Sequence, residues 1–371
     1  MIINRVISLI IERVYKKKGY SSYYVNFYRK EMKNNYKNCD LPAKEKKWAY
    51  KNGFNPWRIV QYGLNEDNYK SVISDHDYFY LYPINNRYRA WIDDKLTMKY
   101  ILSPFDKYLP KYYFHILKER GIMRLMDCKK EYAASVDGIV DLVKNEKILA
   151  AKMAAGTYGI GFYRIEYQDG KFFVNEKEYT ESDFKCFVKS LDNYIITEYV
   201  KMHPEIERLN SCAVNTVRVS VINEHGNDTI IPFAFMRIGT KKSGIVDNVA
   251  QGGMVCKINV ETGEYYDGEV LKNHVYSPAK IHPDTKAEIR GIIPNWEIVK
   301  SELLKMSDYY PQLEWLGYDI AITEDGFKII EINSHQGLHK AHEYPEELRN
   351  YLIKKVVQKK KKYGIIKEDV K

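Results

Sequence analysis

The apolar positions at the start of the chain, Ile2, Ile3, Val6, Ile7, Ile10, Ile11 and Val14, recur at helical spacing. They predict an amphipathic helix running into Lys16, Lys17 and Lys18. Arg5, Ser8 and Glu12 interrupt the run, and no small-residue cleavage site precedes the lysines, so it does not read as a secretory leader. Such a helix either packs on its own protein or lies on anionic lipid. The rest of residues 1–92 is weakly periodic, with turn signals at Asn52-Gly53, Asn55-Pro56 and Tyr82-Pro83, and predicts an irregular, mostly helical region.

From Asp94 the pattern sharpens. Residues 95–102 predict a helix, and 117–126 a helix leading into a short strand around Gly121. A strand over 147–152 is followed by a loop with Gly156, Gly159 and Gly161, and then by a strand over 162–167. The turn Asp169-Gly170 leads to a strand over 171–174, a helix over 183–191 and a buried strand over 194–200. Further strands are expected over 216–223, 229–238, 253–260, 317–323 and 327–332. Residues 344–362 predict a closing amphipathic helix whose four lysines, Lys359 to Lys362, read as a solvated end. Antiparallel strands mixed with helices make an α+β protein.

Composition narrows the class. The chain has 371 residues, enough for two or three domains, and its 45% hydrophobic content excludes a mostly disordered chain. No apolar run is long enough to cross a bilayer. Cys39, Cys128, Cys186, Cys212 and Cys256 are scattered and odd in number, which points away from a zinc ribbon or disulfide framework and toward a reducing cytoplasm. The net charge of +9 is compatible with nucleic acid, a membrane surface or an anionic substrate. No aromatic–basic nucleic-acid module accompanies it, so nucleic acid is not the expected partner.

The most informative chemistry lies in two apolar strands joined by Asp325-Gly326. Antiparallel pairing brings Asp319, early on the first, beside Glu331 and Asn333, late on the second, and residues two apart share a face. Paired carboxylates losing hydration call for a cation, and a small all-oxygen set suits Mg²⁺ that also holds phosphate oxygens. Upstream, Lys152 ends an apolar strand ahead of the glycine loop, where backbone amides and a point charge suit an anion. The loop is neither a Walker A motif nor G-x-G-x-x-G. His335, His339 and His342 are spaced for zinc on a helix, but Gly337 interrupts it, so ordinary packing or substrate contact is the better reading, and for His335 a substrate role outranks zinc.

In their order these segments resemble the ATP-grasp superfamily, from Asp94 to Leu338, and more closely its sugar-transfer-associated group through Asn215-Thr216-Val217-Arg218, Arg237-Ile238-Gly239 and the run from Asp247 to Gly253. The resemblance implies an ATP-grasp fold, two α+β lobes gripping ATP, with a mostly helical N-terminal region over 1–92, lobes over 93–200 and 201–345, and a basic helix over 346–371. It implies Lys95, Lys152, Gly156 and Gly159 on the ATP phosphates, Glu198, Tyr199 and Val200 as the adenine hinge, Glu205 on the ribose, and Asn215 among the nucleotide contacts. Asp319, Glu331 and Asn333 become ligands of one or two Mg²⁺ ions, and Asp247, Asn248, Gly252, Gly253 and His335 substrate contacts. The D-alanine–D-alanine ligases carry an arginine where this chain has Gly317, so Arg218, with Arg237 second, is expected to join Lys152 as the catalytic cation set. The implied activity is ATP-dependent joining of a small-molecule or glycan carboxylate, such as a uronic acid, to an amine, in bacterial surface polysaccharide synthesis. A kinase on the same nucleotide site and a non-catalytic binder of membrane or nucleic acid are the competing readings.

Overall fold

The computed structural model describes residues 2–156, 159, 161–338 and 340–367. Its smaller sheet contains β1 (Tyr112–Leu117), β2 (Gly121–Arg124), β3 (Ile148–Met153), β4 (Tyr163–Gln168), β5 (Lys171–Val174), β6 (Lys177–Tyr179) and β7 (Tyr194–Glu198). They run antiparallel in the order β2-β1-β7-β3-β4-β5-β6. The larger sheet contains β8 (Thr216–Ile222), β9 (Ile230–Ile238), β10 (Met254–Ile258), β11 (Glu264–Lys272), β12 (Val275–Pro278), β13 (Gly291–Ile292), β14 (Trp315–Thr323) and β15 (Gly326–Asn333). Its order is β12-β11-β10-β9-β8-β14-β15, with β13 paired to β11.

Each sheet buries one face under helices, as period-2 alternation requires. The smaller packs on Val136–Glu146 and Glu181–Ser190, whose Ile139, Val143, Phe184 and Val188 are fully buried. Ser135 and Thr180 cap those helices through their side-chain oxygens. In the larger sheet, alternate residues such as Val217, Val219, Met236, Ile320 and Ile329 pack on Trp296–Tyr309. Its other face is covered over part of its area by residues 43–85 and the helix Glu346–Lys362, which meet Ile222, Trp315 and Phe233. Asn85 fastens that cover, donating to the carbonyls of Trp315 (2.8 Å) and Ser334 (2.9 Å) and accepting from the Glu314 amide (2.7 Å). The uncovered part is where the charged residues gather.

Several expectations are corrected. Residues 117–126 form no helix: they belong to the β1–β2 hairpin, because Tyr112–Leu117 is aromatic and β-branched and turns back at Gly121. The helices Val136–Glu146 and Trp296–Tyr309 were not anticipated. Just past the boundary expected at residue 93, one element is shared by both sheets. In the helix Lys95–Ile101, Leu96 packs with Tyr112 and Ile195 of the smaller sheet, while Met98 joins the core of the larger. Nor is the final helix a separate unit, since Leu348, Leu352 and Val356 share a core with residues 49–81. Its lysines are only partly solvated: Lys359 Nζ donates to the Tyr80 carbonyl (2.5 Å) and Lys360 pairs with Asp77 (2.7 Å).

Candidate active site

Strand register assembles a row of charge on the uncovered face. Asp319 of β14 lies opposite Arg218 of β8 on one side and Glu331 of β15 on the other, while Thr216 faces Arg237 of β9. A bulge in β15 makes the row possible. Phe327 and Ile329 point into the core, so strict alternation would bury Glu331. The pairing steps from Ile329 to Glu331, and Ile332 takes the core position instead. Glu331 and Asn333 thereby share the open face.

Asp319 is already neutralised. Arg218 grips it through both Nε and Nη2, the latter 2.8 Å from Oδ2, and Arg237 Nη2 reaches the same oxygen at 3.0 Å. Burial alone would raise the carboxyl's pKa, but Arg218 and then Arg237 outweigh it and hold it below the usual range. Arg237 is itself fixed by Thr216 Oγ1 (Nη2 at 2.6 Å) and by Asp247 (3.4 Å). Asp247 accepts from the Thr216 amide (3.0 Å); burial raises its pKa against the pull of Arg237.

Glu331 is different. Among the described residues its only charged contact is Lys95 Nζ at 3.7 Å, and its side chain is 28% exposed. Asn333 turns its Nδ2 toward Gly317 O and Asp319 Oδ2, both at 3.3 Å, which leaves its side-chain oxygen without a donor among the described residues. Two Glu331 oxygens and one from Asn333 fit a hard cation that keeps water or phosphate as its remaining ligands. Asp319, with three donors on Oδ2, is an ion-pair partner first, so the expected three-residue ligand set contracts toward Glu331 and Asn333. Among the described residues no three His, Cys, Asp or Glu gather as a metal site. His339 lies outside the described residues, and His335 and His342 are held by separate aromatic contacts.

The cations opposite are unequal. Lys95 begins a helix capped by Asp94, whose side chain accepts from the Thr97 amide (2.8 Å), and its Nζ donates to Gly156 O (2.9 Å). Lys99, one turn on, is satisfied by Asp106 (2.5 Å), Asp127 (2.9 Å) and Pro110 O (3.1 Å). Lys152 is buried on β3, 5.3 Å from the Tyr112 ring centroid, with no anionic partner among the described residues. Burial, reinforced by Lys95, pulls its pKa down to about 7. The glycine loop beyond it reaches the large lobe. Gly159 has φ +69°, and a β-carbon there would lie 2.9 Å from Val246 Cγ1, beside Asp247.

At the hinge, Glu198 binds Lys111 through backbone (2.9 Å) and carboxylate (3.0 Å). Tyr199 lies under the Arg164 guanidinium, 5.3 Å from the ring centroid. Val200 is buried, and its amide and carbonyl have no hydrogen-bond partner among the described residues, an opening for a ligand's ring edge. Glu205 is not open in this way. Arg208 holds both its oxygens (2.9 and 3.0 Å), and the Tyr265 hydroxyl donates to one (2.6 Å).

Two expected contacts are overturned. Asn215 is fully buried, with Nδ2 donating to Ile206 O (3.1 Å) and Asn210 O (3.0 Å) and Oδ1 accepting from the Gly239 amide (2.9 Å), so nothing is left for a nucleotide. His335 sits among Tyr78, Tyr82 and Trp315, and burial lowers its pKa to about 3. It belongs to the packing beneath the cover. Asn248, Gly252 and Gly253 form one tight loop: the Gly253 amide donates to Asn248 O (3.0 Å), and Gly252 O accepts from Thr240 (2.9 Å).

Sequence reasoning passed over Thr216, Lys99 and Gln336. Thr216 was findable, because it lies two residues before Arg218 and so on the same strand face. Gln336 explains Gly317. A β-carbon there would stand 2.5 Å from Gln336 Cγ, whose amide donates to Ser220 (2.9 Å) and Leu316 O (2.9 Å), so no arginine fits.

Two antiparallel α+β lobes facing each other across lysines and carboxylates are the ATP-grasp fold. The chain belongs within it to the sugar-transfer associated ATP-grasp family, whose model matches residues 76–354. Solved structures similar to it include D-alanyl-alanine synthetase A of Vibrio cholerae, at 12% identity and TM-score 0.44 over 73% of this chain and 66% of that one. D-alanine–D-alanine ligase of Bacillus anthracis matches at 13% and 0.37, over 73% and 68%. N5-carboxyaminoimidazole ribonucleotide synthetase in its ADP complex matches at 12% and 0.37, over 67% of this chain and less than half, 46%, of that one. No curated protein matched.

Proposed function

We propose that the protein is an ATP-dependent carboxylate–amine ligase. The carrying observation is Lys152: a buried lysine with no ion-pair partner among the described residues, beside Lys95 and facing the lightly engaged Glu331. A polyphosphate supplies the negative charge this arrangement lacks. Lys95 and Lys152 hold the ATP phosphates, the backbone of Val200 meets the adenine edge, and Gly156 and Gly159 close over the nucleotide. Glu331 and Asn333 hold Mg²⁺, which offsets charge on the phosphates.

The substrate carboxylate attacks the γ-phosphoryl group, releasing ADP and forming an acylphosphate. The amine then attacks the acyl carbon, the amide forms, phosphate leaves, and the amine's proton passes to solvent. Arg237, more exposed than Arg218, offers its remaining N–H groups to the transferred phosphoryl or the oxyanion, while Arg218 keeps Asp319 and the row in place. We place the acid among uronic acids of nucleotide sugars or glycans, and the amine among amino acids or small amines, in bacterial surface polysaccharide synthesis. The family's association with sugar transfer supports that choice. The test supplies UDP-uronic acids, amines and ATP. The expected result is ADP plus a product whose mass is the sum of acid and amine less one water. A phosphorylated sugar formed without the amine would make the protein a kinase, and no ADP with any pair would end the proposal.

A further inference from the structure

Two segments distant in sequence meet at one corner of the molecule. The helix Ile2–Lys17 ends beside the end of the helix Glu346–Lys362. The Tyr363 ring lies directly over Gly19, and the Tyr80 hydroxyl is within hydrogen-bond distance of both Lys18 O (3.1 Å) and Lys359 O (3.4 Å). Ile11 and Tyr15 pack inward on Tyr24, Tyr28 and Met32, so folding consumes one face of the first helix. Its other face remains in water: Leu9, Ile10 and Val14 are 59%, 58% and 49% exposed. Ile365 and Ile366, just past the Tyr363 contact, are exposed as well. Apolar side chains grouped this way at one corner mark an interaction surface.

Charge identifies the occupant. Residues 1–37 carry nine basic and two acidic side chains and residues 353–371 eight and two, jointly +13 against +9 for the whole chain, so residues 38–352 are net −4. The net positive charge of the chain thus comes from its two terminal segments, which also supply the residues of the exposed apolar corner, while the rest of the chain is net acidic. Arg13, Lys16, Lys17 and Lys18 on one segment and Lys362 and Lys367 on the other are exposed around the apolar groups. A protein partner could match either feature, but exposed aliphatics ringed by lysine on two adjoining segments match an anionic bilayer, whose headgroups draw the cations while acyl chains take the aliphatics. In such a contact the buried apolar area and the attraction to anionic headgroups add, so two adjoining segments bind more strongly than either alone. Among the described residues no helix is long and apolar enough to cross a membrane, so the contact is peripheral.

We propose that this corner, built from residues 9–18 and 362–367, docks the protein on an anionic lipid surface. The proposal is independent of the ligase reading. The test is flotation of the full chain with phosphatidylcholine vesicles containing about 30% phosphatidylglycerol, against phosphatidylcholine alone. Partition is expected to be at least about tenfold stronger on the anionic vesicles, and to fall about tenfold between about 0.1 M and 0.5 M salt. Ile10→Glu with Val14→Glu, and separately Ile365→Glu with Ile366→Glu, should each weaken it about tenfold or more. Lys16→Gln with Lys17→Gln, which leaves the apolar face intact, should weaken it several-fold and provides a reading should an apolar variant fail to fold. Equal partition to both vesicle types, or wild-type partition in all three variants, would overturn the proposal. So would a concentration-dependent dimer that the isoleucine variants abolish while vesicles recruit nothing, for the corner would then join copies of the chain.

Discussion

On the small-lobe side of the cleft, Lys152 is buried with no ion-pair partner among the described residues, whereas on the large sheet Asp319 is buried between two arginines. Both are ionisable groups removed from water, yet one is compensated within the fold and the other is not. Leaving a buried charge unpaired costs several kcal/mol, so a fold retains one where something else completes it. The same contrast recurs within the large sheet. Asp319 is saturated, and Glu331, its direct cross-strand neighbour, is nearly free. Satisfied charge therefore marks architecture, and unsatisfied charge marks where a ligand enters.

Breaking the architectural member should cost most in stability. Asp319→Ala leaves Arg218 and Arg237 buried without their carboxylate, and chemical denaturation should show a loss of about 3–5 kcal/mol. Glu331→Gln should do the reverse: ATP turnover falls by about a hundredfold or more, while stability stays within roughly 0.5 kcal/mol of wild type. If the two variants exchanged these phenotypes, the division between architecture and ligand site would be wrong.

Lys152 sharpens the comparison through pH. Its folded pKa, near 7, lies below its unfolded value, so between about pH 7 and pH 10 the unfolded chain binds the extra proton. Ligand-free stability should therefore rise with pH across that window, and Lys152→Met should flatten the rise in urea titrations at pH 7 and 9.5. Phosphates would favour the charged ammonium, so nucleotide affinity should weaken as pH climbs above about 7, and the same variant should remove that dependence. The smallest effect is expected at Glu205. Partly exposed and already paired with Arg208, it should cost about 1 kcal/mol or less on change to Gln, with little loss of nucleotide affinity.

What could be read from the chain beforehand was local. The Asp325-Gly326 turn and its flanking strands announced the hairpin, and the Glu-x-Asn spacing placed Glu331 and Asn333 on one face. The start of Lys95's helix just after Asp94 was likewise legible in neighbouring residues. The misreadings share a cause in long-range packing. Asn215 looked like a ligand contact until Gly239 and Ile206 took its amide, and His335 until Tyr78 and Trp315 enclosed it. The pairing of Arg218 with Asp319 depends on the β8–β14 register across about a hundred residues of chain, which no local pattern encodes. The strand Tyr112–Leu117 was passed over because a short apolar run does not by itself declare its period.

The central claim, that a magnesium-bound triphosphate completes the charge between Lys152, Lys95 and Glu331, is tested most directly by calorimetric titration of a non-hydrolysable ATP analogue at pH 6.5 and 8.5, with and without Mg²⁺. The account predicts binding that needs the metal, is tighter at the lower pH, and disappears in Lys95→Met with Lys152→Met. Affinity indifferent to magnesium and to the loss of both lysines would contradict it.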